Sequence, residues 1–108
     1  MNERLKHSIE KTIAWLEDDS KLLEWCDGDL AVDSNDNVSN PQDDDACKWC
    51  AAGRMMLESG IYNYTDFERE FNKLTVGHKL DCVVYENDNH GRAAAAAELR
   101  FILENSDA

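Results

Sequence analysis

Apolar residues recur at helical spacing through most of this 108-residue chain, and that periodicity limits its fold more than any single motif. Leu5, Ile9, Ile13 and Leu16 share one face of a helix over residues 3–19. Phe67, Phe71 and Leu74 repeat the pattern further on. Leu80, Val83 and Val84 fit a short helix, although Cys82–Tyr85 also reads as a strand. Ala95, Leu99 and Ile102, with Ala96 and Leu103 beside them, define a last helix beginning near Gly91 or Arg92. Its five alanines, 93 to 97, have the highest helix propensity and imply tight packing. These segments predict a mainly α, single compact domain of four to five helices over residues 1–108. An acidic irregular loop or short β-hairpin joins its first and second long helices.

The second long helix is expected over residues 40–60. Asn40 is placed as its N-cap, Pro41 at its first position and Asp43–Asp45 in its first turns, where carboxylates favour the helix dipole. Ala46, Cys50, Gly53 and Leu57 share a face, and Gly60 is a fitting stop. A mid-helix glycine costs about 1 kcal/mol relative to alanine, which predicts close approach of a neighbouring helix at Gly53. Thr65 and Glu68 match a capping box, Gly77 ends that helix, and Glu86–Gly91 reads as a loop. Ser20 caps a short turn whose Leu22, Leu23 and Trp25 are core candidates. Leu30, Ala31, Val32 and Val38 flank the polar run Asp33–Asn37, with Leu30 and Val32 held against the helices.

Charge is the strongest compositional signal. The chain has 23 acids and 11 bases, a net −12. Residues 17–45 hold eleven of the acids and one base, Lys21, so this segment carries −10. Its carboxylates are Glu17, Asp18, Asp19, Glu24, Asp27, Asp29, Asp33, Asp36, Asp43, Asp44 and Asp45. Such a field repels nucleic acid and anionic lipid and attracts basic surfaces. Hydrophobic residues make up 43% of the chain, above a disordered composition. The first residues, MNERLKHSIEK, lack the apolar centre of a secretory signal, and no apolar run approaches a membrane span, so a cytoplasmic protein is expected.

Four cysteines, Cys26, Cys47, Cys50 and Cys82, raise metal and redox readings. Four thiolates suit zinc, but only Cys47 and Cys50 are paired in sequence, and helical phase places both inside a helix. Asp43–Asp45 oppose thiolate formation at Cys47 and so argue against a redox role. A nucleophile built from Cys50 or Cys82 with His78 or His90 has no support from spacing. Asp33, Asn35 and Asn37 fit the first three positions of a calcium loop, but Val38 stands where glycine is required. Walker loops and basic-aromatic nucleic-acid surfaces are absent. Free thiols packed as small hydrophobes are expected, with no catalytic residues, metal or cofactor.

Three motifs occur in order: Trp25-Cys26-Asp27-Gly28, then Cys47-Lys48-Trp49-Cys50-Ala51-Ala52-Gly53, then Val83-Val84-Tyr85-Glu86-Asn87-Asp88 with Gly91-Arg92. Together they resemble a family of small, uncharacterised helical domains of bacteria and their phages, over roughly residues 5–104. The resemblance implies a helical fold with Trp25, Trp49, Cys50, Gly53, Asn87 and Asp88 as framework. Asn87 and Asp88 would cap the last helix or brace the turn before it. Tyr85-Glu86 stands where that family has tryptophan, and the acid load of residues 17–45 is heavier than the family needs.

The functional expectation is a small, acidic, non-enzymatic interaction protein. In size and acidity the chain is similar to phage-encoded DNA mimics, which implies an inhibitor occupying a basic nucleic-acid-binding groove of a host protein. A defence complex, a topoisomerase and a nucleoid protein are the partner types considered. The expected partner-binding residues are Asp18, Asp19, Glu24, Asp27, Asp29, Asp33, Asp36, Asp43, Asp44 and Asp45. A cysteine-based zinc or redox module is the alternative, and a homodimer stays open.

Overall fold

A computed structural model describes residues 3–74 and 77–106. Helix α1 (Glu3–Glu17) buries Leu5, Ile9, Ile13 and Leu16 on the expected face, with Ser8, Thr12 and Trp15. Its acidic C-terminal end is compensated by Arg100, whose Nε donates to Glu17 at 3.1 Å. A short 3-10 helix (Asp19–Glu24) follows, capped by Asp18 rather than Ser20. The Asp18 carboxylate accepts from both the Ser20 amide (3.0 Å) and the Ser20 hydroxyl (2.6 Å). Leu22 and Leu23 are not core residues, being 53% and 84% exposed. The 3-10 turn directs both outward, and only Trp25 packs inward.

Residues 40–50 do not start a helix. Strand β1 (Ala31–Val32) pairs antiparallel with β2 (Lys48–Trp49), Ala31 opposite Trp49 and Val32 opposite Lys48. The Cys47 amide donates to Val32 at 2.9 Å and the Cys50 amide to Leu30 at 3.2 Å. A parallel bridge joins Trp25 to Trp49, and an antiparallel bridge joins Val32 to Val38. The hairpin anticipated around Asp33–Asn37 therefore exists only as a bridge, while the longer pairing is to a segment read as helix. Asp43–Asp45 lie in turns: the Asp43 amide donates to Asn40 and the Ala46 amide to Asp43, each at 3.0 Å. Pairing with β1 satisfies backbone groups that a helix over 40–50 would have used internally.

Helix α2 (Ala51–Ser59) is nine residues long, with Cys50 as N-cap and Gly60 as C-cap. The Gly53 amide donates to the Cys50 sulfur at 3.3 Å. A Cβ at Gly53 would overlap the Leu30 carbonyl oxygen. The close neighbour is thus the backbone leading into β1, and not a helix.

Helix α3 (Tyr64–Phe71) is capped by Asn63, whose side-chain Oδ1 accepts from the Asp66 amide at 3.0 Å. Thr65 already lies inside the helix, so the capping-box assignment was two residues late. The helix ends at Phe71 with Asn72 as C-cap, well before Gly77.

Helix α4 (Leu80–His90) runs through the segment read as a loop. An i,i+4 hydrogen bond between His90 and Glu86 (2.8 Å) and one from Asn89 to the Tyr85 carbonyl (2.9 Å) support its last turn. Gly91 alone, at φ 91°, turns the chain into α5 (Arg92–Asn105). Ala95, Ala96, Leu99 and Ile102 are buried in α5, as its periodicity requires.

Helix α1 packs on α2 and α5, α4 on α5 and α2. Phe67, Phe71, Met55, Met56 and Leu80 join these helices in one buried cluster. The radius of gyration, 12.7 Å, is that of a single compact domain of this length. No described helix is long and apolar enough to cross a membrane.

Candidate functional site

The three sequence motifs meet at one buried side chain. Asn87, on α4, is fully buried. Its Oδ1 accepts from Trp25 Nε1 at 2.8 Å and from the Ala51 amide at 3.0 Å. Its Nδ2 donates to the Cys26 carbonyl at 3.3 Å and to Asp88 Oδ1 at 3.0 Å. The same Asp88 oxygen accepts from the Gly28 amide at 3.0 Å. Asn87 thus satisfies an orphan amide at the start of α2 and holds the acidic loop to the helices. The pair was expected to serve the last helix; it serves α2 and the Trp25–Gly28 segment, 60 residues away in sequence. Only a partner brought in by folding identifies that role.

Two tryptophans, Trp15 and Trp49, enclose a cation. The guanidinium of Arg54 lies 5.0 Å from the Trp15 ring centre and 4.9 Å from that of Trp49. Glu24 and Glu58 each approach it at 3.6 Å, and Trp15 Nε1 donates to Glu24 at 3.1 Å. Trp49 Nε1 donates to the Pro41 carbonyl at 2.9 Å, fixing the turn that carries Asp43–Asp45. The sequence reading missed Arg54. Its signal was an isolated base on a helix beside tryptophan-bearing segments, which acquires meaning only in three dimensions.

The ten predicted partner-binding carboxylates separate by what they contact. Glu24 pairs with Arg54 and Lys21, Asp36 with Lys48, and Asp19 approaches Arg92 at 4.0 Å. Asp18, Asp33 and Asp43 accept hydrogen bonds within their own turns. Hydrogen bonds from Ser20 hold the Asp18 carboxyl below its usual range. Asp27, Asp29, Asp44 and Asp45 are exposed and make no side-chain hydrogen bond or ion pair among the described residues. Glu24 is therefore part of the framework around Arg54, whereas the last four are open to solvent.

Cys26 and Cys50 sit in surroundings that favour the neutral thiol. Burial pushes Cys26 up to about 12, with Cys50, Asp29 and Asp27 adding to the effect. Burial pushes Cys50 up to about 11 although the Gly53 and Ala52 amides oppose it. Cys50 does stand at a helix N-terminus after a strand, contrary to the helical placement expected of it, but it is 3% exposed. Among the described residues no group of three or more His, Cys, Asp or Glu is placed to hold a metal ion. Cys82 lines a cleft with His78 and Glu98, and His78 Nδ1 lies 2.8 Å from Glu98. No hydrogen bond joins a cysteine to a histidine among the described residues. Comparisons with protein families, with curated proteins and with solved structures returned no match.

Proposed function

We propose that this chain is a small, acidic, non-enzymatic interaction protein that occupies a basic, nucleic-acid-binding groove of a partner protein. The observation that carries the reading is the set of open carboxylates between Asp27 and Asp45. Asp27, Asp29, Asp44 and Asp45 make no side-chain hydrogen bond or ion pair among the described residues, and Asp33 and Asp43 make no ion pair, within a segment of net −10. Duplex DNA presents one charge per roughly 1.7 Å of its axis, and a run of carboxylates on a firm layer imitates a short stretch of it. The bridges from Trp25 to Trp49 and from Val32 to Val38 support that firmness. A defence complex, a topoisomerase or a nucleoid protein has the required basic groove.

The test is capture from lysate on the immobilised chain at low salt, with elution by a salt gradient. A basic nucleic-acid-binding protein should elute late and be displaced by duplex DNA. Its affinity should fall steeply with salt, because exposed charges are screened. Replacing Asp43, Asp44 and Asp45 together by lysine should abolish capture. Affinity that is unchanged between low and high salt, or retained by the triple variant, defeats the proposal.

A further inference from the structure

A cavity of about 240 Å³ opens beside the Asn87–Asp88 junction. Its apolar side is made by Leu30, Cys50 and Val84, and its polar side by Asp29, Asp88 and Tyr64. No cation lines it. Carboxylates outweigh cations around it: Glu68 and Asp81 act on the Tyr64 hydroxyl, which burial already pushes upward, and Asp27 and Asp29 act on Cys26, opposed there by Lys48. Asp88 is anchored through Oδ1 to Gly28 and Asn87, so its carboxylate is held in place without a cationic partner among the described residues. Asp29 is exposed and makes no ion pair among them.

We infer that this cavity receives an arginine side chain from the basic surface of the partner. An aliphatic stem of three methylenes lies against Leu30 and Val84, and the guanidinium faces Asp29, Asp88 and the Tyr64 ring. Arginine suits these walls because its planar cation is weakly hydrated, stacks on aromatic rings and pairs with carboxylates in a fork. Lysine holds its water more firmly and loses more on entering an apolar cavity. The inference rests on the proposed function and adds a discrete anchor to a diffuse acidic surface. Central, well-enclosed anchors of this type contribute disproportionately at interfaces.

The experiment uses the full chain and blocked amino acids (N-acetyl, C-methylamide) as probes, read by amide chemical shifts. Blocked arginine should produce saturable shifts at Gly28, Leu30 and Val84. Blocked norleucine, of similar length and no charge, should bind at least tenfold more weakly, and blocked lysine more weakly than arginine. Asp29→Lys, at an exposed site that leaves the fold intact, should weaken arginine at least tenfold. Shifts that do not saturate, equal binding of norleucine or lysine, or undiminished binding to Asp29→Lys each overturn the inference. The two readings fail separately. Arginine bound in the cavity with no salt-sensitive partner removes only the proposed function. A partner lost on reversal of Asp43–Asp45 but held normally by Asp29→Lys removes only the cavity.

Discussion

Replacing Asn87 with leucine is the sharpest test of how the acidic layer is held. The two side chains share a branched skeleton of four heavy atoms, so the change opens no cavity and chiefly removes the polar contribution. Three groups lose their partner: the Ala51 amide, Trp25 Nε1 and the Cys26 carbonyl. Asp88 keeps its bond from Gly28. The Ala51 amide is buried and contributes about 2 kcal/mol, within the roughly 1–3 kcal/mol cost of a stranded polar group. Trp25 and Cys26 are half-buried and reachable by water, so each contributes about 1 kcal/mol. Burying leucine offsets about 1 kcal/mol. The expected loss is about 3 kcal/mol, a large part of the roughly 5–15 kcal/mol available to a domain. With a urea slope of about 1.5 kcal/mol/M, the unfolding midpoint falls by about 2 M. A double-mutant cycle with Trp25→Phe should return a coupling of about 1 kcal/mol. A loss below about 1 kcal/mol, or a coupling indistinguishable from zero, would refute the reasoning.

Arg54→Lys keeps the charge but not the planar cation between Trp15 and Trp49; it should cost about 1–2 kcal/mol in urea unfolding and alter tryptophan emission, and wild-type stability would contradict this. Gly53→Ala drives a methyl into the Leu30 carbonyl and should cost about 3 kcal/mol or more, whereas an unchanged melting temperature would deny the close approach. Cys50 should make stability fall at alkaline pH. Its folded thiol is raised from 9.0 to about 11, so both states are neutral below about 9, and stability is lost as pH rises from there towards 11 while the unfolded thiol ionises first. Cys26, raised in the same direction, adds to the slope, and Cys50→Ser should flatten part of it in urea midpoints taken between pH 8 and 11. A slope identical in Cys50→Ser and the parent chain would remove Cys50 as its source.

Helix faces were legible wherever a long amphipathic run decides its own structure. Leu5–Leu16 in α1 and Ala95–Ile102 in α5 are buried as their spacing demands, because packing an apolar stripe satisfies propensity and burial together. The concentration of acid between Glu17 and Asp45 was equally visible, since charge is a property of composition. Helix ends were read less well. Cap chemistry at Asn40 and Thr65 is shared by many turns, and the structure uses Cys50 and Asn63 instead.

The sequence by itself determined a mainly helical domain, its two best helix faces and the position of its acid load. Only the tertiary structure decided that Lys48–Trp49 forms a strand, that Glu86–His90 is helix, and that Asn87 closes the start of α2. The strand and the Asn87 contact share one physical reason. Short polar segments have weak local preferences, so their conformation follows the partner that satisfies their backbone and amide groups. Those partners lie far away in sequence: Val32 and Leu30 for Cys47 and Cys50, Trp25 and Ala51 for Asn87. The open carboxylates and the cavity beside Asp88 were assembled by the same long-range pairings.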